Sequence, residues 1–158
     1  MVLYHVLLYI HIFAAMVMVG ISLANGFGKM FADRTGNVHR MASVLALTVY
    51  FNKVLIFPSL VVVALSGIGL TVILHLPLLG GWVLQATIIL AVLFILFFVG
   101  NHYENRLHQI AGRSEENKQQ VISDKYWSVS KRYYLTGFPV IVAILLILYL
   151  MIFQRSLF

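Results

Sequence analysis

Among side chains that could bind a metal or move a proton, the chain offers six histidines and no cysteine. The most informative is His11, set in the run LLYIHIFAAMVMVG over residues 7–20. An imidazole within an otherwise apolar helix costs several kcal/mol if left unpaired, so its partner is the central question. An axial bond to haem b iron is one answer, since that cofactor needs only a side-chain ligand. The absence of cysteine excludes disulfides, thiolate metal sites and covalent c-type haem attachment.

At about 100° per residue, Tyr4, Leu7, Leu8, Ala15, Met18 and Ser22 share the His11 face. Helical rise sets His11 about 12 Å below the outer end of its span. An equal count back from His75 reaches Ser66, Gly67, Ile68 and Gly69. Gly67 and Gly69 opposite an imidazole suggest a slot for a planar macrocycle between helices. Tyr149 falls at the same depth as a hydrogen-bond partner or weak ligand. A structural reading competes: His11 bonds Ser66 or a backbone carbonyl, and the glycines merely let helices approach.

The other histidines divide by depth. His102 stands about 30 Å below Trp82 by the same rise, so it and His11 do not share one iron. In NHYENRLHQ, His102 and Arg106 share a helical face and could hold a haem or porphyrin propionate, or could form an ordinary solvated helix end. His5 and His75 near the outer surface are a candidate copper or zinc pair without an evident third ligand. His39 and His108 belong to the inner polar region.

Composition determines what positions these groups. With 61% hydrophobic and 10% charged residues, the chain is an integral membrane protein by composition. Four apolar runs, about residues 3–23, 54–75, 82–100 and 135–153, are each long enough to span a bilayer. The expected fold is all-α, a four-transmembrane-helix bundle forming one domain over residues 1–158, with a cytoplasmic helical extension between spans three and four. The first run lacks a basic leader and a small-residue cleavage site, so it is expected to be retained. Ten of the eleven Lys and Arg residues flank the two connections on one side, which the positive-inside rule places in the cytoplasm. Both termini then lie outside, and the net charge of +6 reflects anionic headgroups and not nucleic acid.

Between spans one and two, the Gly- and Asn-containing stretch over residues 24–40 is expected to break the helix. Helix then resumes from Met41 toward His75, with a kink at Pro58. Ser114 is a candidate N-cap for the helix leading into span four, with Tyr126, Trp127, Tyr133 and Tyr134 at headgroup level. Phe57-Pro58 and Phe138-Pro139 hint at an internal repeat of two hairpins.

The order of these features, from LLYIHIFAAMVMVG through Gly67 to Leu70, Trp82 and NHYENRLHQI to Arg132, Tyr133, Tyr134 and Pro139, resembles the HemJ-type protoporphyrinogen oxidases. It is similar also to their small four-helix bacterial relatives of uncharacterised function. The resemblance covers nearly the whole chain. It implies haem b at His11 and a His-aromatic-basic cluster at His102, Tyr103 and Arg106. Three family features are missing: the Leu-Pro-Arg-rich stretch after span one, the Lys beside the span-three Trp, and the acid entering span four. Kinship is therefore closer to the uncharacterised relatives.

All five acids fall in predicted cytoplasmic segments, which disfavours a proton-coupled transporter. No phosphate-cradling loop, nucleophile elbow or HExxH is present. The leading expectation is a haem b protein of the bacterial inner membrane in porphyrin- or quinone-linked electron transfer, an oxidoreductase of protoporphyrinogen-oxidase type if it is an enzyme. The alternatives are a non-catalytic subunit of a larger respiratory or photosynthetic membrane complex, and an outer-face copper or zinc handler. Partners are the lipid bilayer, a porphyrin or quinone, and a larger complex or a second copy of the chain.

Overall fold

The computed structural model describes residues 2–77 and 80–155, and every regular element among them is helical. Helix α1 spans Val2–Thr35, α2 Val38–Phe51, α3 Phe57–Ile73, α4 Gly81–Glu116 and α5 Asp124–Phe153. A π-helical turn, Asn52–Ile56, joins α2 to α3 so that they form one rod. The result is four rods, each long and apolar enough to cross a membrane.

Only 11%, 33%, 17% and 17% of the most apolar windows of the successive rods are buried, so apolar side chains cover the outside. Such a surface is stable in lipid and not in water. Rod α1 packs on α3 and α2, and α4 packs on α5 and α2. The largest buried cluster lies toward the basic end, where Met41, Leu45, Leu107 and Tyr126 are fully enclosed. Smaller clusters around Leu60 and Leu93 continue it toward the termini.

Two boundaries differ from expectation. The glycines over residues 24–40 do not break α1, which continues to Thr35 and stops only at Gly36, with φ of +63°. The helix persists because Asn25, Lys29, Ala32 and Asp33 form one buried face, and that tertiary packing outweighs the glycine penalty of about 1 kcal/mol each. Ser114 caps nothing: it is buried inside α4, while Ser123 precedes α5. Of the aromatic residues entering α5, Tyr126 is fully enclosed and Trp127 is exposed.

Pro58 is accommodated by the π turn. Its ring would clash with the carbonyl four residues back, and it has no N–H to offer there. The wider turn takes up that strain, with the Phe57 N–H donating to the Asn52 carbonyl five residues earlier. Pro139 sits inside α5 without an equivalent turn, so the two Phe-Pro pairs differ locally.

Candidate functional site

Two groups of polar side chains lie within the bundle, at different depths. The first is built on His11. Its Nδ1 lies 3.0 Å from the Ser66 hydroxyl, which in turn donates to the Val62 carbonyl. With the Ser66 hydrogen on the Val62 carbonyl, Nδ1–H is the donor in the His11 bond and Nε2 carries the lone pair of the neutral ring; given to the ring instead, that hydrogen would select the other tautomer. The imidazole is partly exposed and lies flush on α3: a Cβ at Gly67 would be 3.3 Å from its Cε1. Gly69 is covered by Leu7, whose Cδ1 would be 3.2 Å from an added Cβ.

The expected level of His11 with Ser66 and Gly67 is therefore present, and the ring itself fills the space over Gly67. No macrocycle can interleave there in this packing. Gly67→Val is expected to displace the imidazole and cost about 1–3 kcal/mol as an overpacked contact. Gly69→Ala meets only the tip of a flexible leucine and should be tolerated. Thermal midpoints in one detergent compare the two.

The remaining candidates stay apart from His11. Tyr149 is exposed and packs on Phe153 at 4.7 Å. His102 and Arg106 are exposed on α4, with the His102 ring edge-on to Tyr103. His5 meets the Tyr4 ring, and His75 is exposed with φ of 51°. Among the described residues no group of three His, Cys, Asp or Glu side chains could hold a metal ion, so the His5 and His75 pair gains no third ligand.

The second group was not anticipated. Asp33, expected in a cytoplasmic segment, is buried and accepts from four donors: Lys29 at 2.6 Å, Tyr126 at 2.6 Å, Tyr134 at 2.9 Å and Ser130 at 3.2 Å. Lys29 is 1% exposed, donates also to Ser130, and lies over the rings of Tyr126, Tyr133 and Tyr134. Each charge is thus compensated by hydrogen bonds and by the aromatic faces.

Beside it, Glu104 is buried and accepts from Asn52 and Tyr133. Asn52 also receives a hydrogen bond from Asn25 at 3.2 Å and donates to the Asn101 side-chain oxygen at 3.5 Å. The case against a transporter from the absence of a buried acid therefore falls away. These groups had a sequence signal. Asn25, Lys29 and Asp33 recur every four residues, as do Tyr126, Ser130 and Tyr134, and Asn101 stands three before Glu104.

A cavity of about 420 Å³ opens against this second group, between α1, α4 and α5. Asn25, Asn52, Asn101 and Glu104 line its polar side, and Phe27, Phe97 and Phe138 are among its apolar walls.

Residues 5–155 match the model of the family described as "Predicted integral membrane protein (DUF2269)". The chain belongs to that family. The match takes in all four rods, His11 and both polar groups, so the whole architecture is that of a family member. Neither the curated proteins nor the solved structures compared with the chain give a match.

Proposed function

We propose that this family member is a haem b-binding protein of HemJ-like fold in the bacterial inner membrane, with its basic ends in the cytoplasm. It acts in porphyrin- or quinone-linked electron transfer, with His11 as axial ligand. The reading rests on the His11–Ser66 pair, a bond that a purely structural histidine would make as well, so the optical spectrum decides between the two. A ligating histidine characteristically donates its other ring N–H to an oxygen, which fixes the tautomer and strengthens the free nitrogen as a donor. Ser66, itself anchored on the Val62 carbonyl, does this for His11.

The donor chemistry fits, but the slot expected at Gly67 and Gly69 does not: the His11 ring fills the first and Leu7 the second, so no macrocycle is held between these helices in this packing. Haem, when bound, supplies a one-electron iron couple. The chain's part is to hold the imidazole neutral, oriented and shielded from water by the apolar outer half of the bundle. Arg106 and His102, exposed together on α4, could meet a propionate only of a separate tetrapyrrole, because helical rise puts them about 18 Å from the depth of His11.

The test is the optical spectrum of protein purified after growth with a haem precursor. A Soret band is expected, abolished in His11→Ala and shifted in reduction potential in Ser66→Ala. A colourless chain that copurifies with a larger membrane complex would replace this reading with the accessory-subunit one.

A further inference from the structure

We infer that the cavity between α1, α4 and α5 is a binding site for a membrane-soluble quinone or quinol, a site independent of any haem at His11. Its first support is a void at three glycines. Gly26 on α1, Gly100 on α4 and Gly137 on α5 all line the cavity, and a Cβ built on any of them meets no atom within 4 Å. Gly67 and Gly69, by contrast, are packed by side chains. Three helices thus lack side chains where they converge on one space, and no neighbour fills it.

The lining chooses the guest. At about 420 Å³ the cavity falls within the roughly 300–1,000 Å³ of small-molecule sites. Its described lining contains no Lys, Arg or His, and Glu104 is its one charged residue type. Lys29 lies against the Tyr133 and Tyr134 rings but outside the lining, and its ammonium is engaged by Asp33 and Ser130. A phosphate or carboxylate headgroup would find no cation there, so the guest's polar end is neutral. Phe97, Phe138, Tyr133 and Tyr134 supply aromatic surface for a flat ring.

At the polar end, Asn101 engages Asn52 only through its carbonyl oxygen, which leaves its amide hydrogens for a ring carbonyl. Glu104 can accept from a ring hydroxyl of the reduced form. Phe27 and Phe138 both line the cavity and remain 64% and 71% exposed on the outer surface. Rods α1 and α5 are joined by the Asp33 and Lys29 hydrogen bonds at the basic end and pack mainly on other partners elsewhere, so the exposed phenylalanine faces offer a lipid-soluble tail a lateral exit.

The test uses the full chain in phosphatidylcholine nanodiscs, with a decyl-substituted benzoquinone as probe and calorimetry as readout. Saturable binding is expected. Gly100→Leu and Gly137→Leu, which add side chains into the void, should weaken it tenfold or more. Gly20→Leu adds the same side chain where no atom lies within 4 Å but away from the cavity, and should leave binding within twofold. Asn101→Leu, a near-isosteric change, tests the polar end without adding bulk and should also weaken binding tenfold. Equal affinity in folded cavity variants and wild type would overturn the assignment. So would displacement of the probe by dodecanoate as effectively as by unlabelled quinone, which would make the cavity a general acyl-chain site.

Discussion

Asp33→Ala is expected to lower the thermal midpoint of the detergent-purified chain by on the order of 10 °C. The substitution removes the shared acceptor of Lys29, Tyr126, Ser130 and Tyr134 and strands an ammonium that is 1% exposed. Breaking a buried pair in this way costs about 3–5 kcal/mol, because the surviving charge keeps its desolvation penalty without its partner. The double variant Lys29→Met, Asp33→Ala should recover a large part of the loss, since replacing both charges removes the stranded one. An Asp33→Ala chain that melts with wild type would mean that water reaches Lys29.

The second large effect is expected at Tyr126, which is fully enclosed in the basic-end core and donates to Asp33 at 2.6 Å. Tyr126→Ala should cost about 3–5 kcal/mol, as for other buried aromatic truncations. Tyr126→Phe keeps the ring and loses only the bond to a charged acceptor, for about 1.5–3 kcal/mol. Chemical denaturation of the two variants side by side separates packing from hydrogen bonding. If Phe were as damaging as Ala, the hydroxyl would dominate and the packing account would be wrong.

The four spans were legible because lipid imposes one demand on all of them, an unbroken apolar run closed by internal hydrogen bonds. Residues 82–100 and 135–153 lie inside α4 and α5 without interruption. The pairing of His11 with Ser66 was legible too, because equal depth on adjacent antiparallel rods follows from helical rise alone. The extent of α1 was not. Glycine and asparagine in residues 24–28 signal a break only when no neighbour rewards the helix, and here α2 and α5 cover the Lys29 face.

The burial of Asp33 and Glu104 was obscured for a related reason. A charge just past an apolar run reads as solvated, yet these rods extend beyond their apolar segments and stay packed. The four-residue spacing of Asn25, Lys29 and Asp33 held the missing information. It shows a polar face of one helix seeking another, which a count of charges per loop does not reveal.

The widened turn at residues 52–56 has a bearing on how the rod through α2 and α3 tolerates change. Buried positions Thr48, Asn52, Ile56 and Leu60 recur at intervals of four, whereas an ordinary helix drifts by about 40° over each such step. The loosened winding corrects that drift and keeps Asn52 aimed at Glu104 while Leu60 still meets its core. Excising a single residue from positions 53–55 would tighten the backbone into uniform helix and leave the span long enough for the bilayer. Because the turn holds one residue more than ordinary helix, the asparagine and the leucine would still face inward together, whereas removing a second residue would swivel one half of the rod by about 100° against the other.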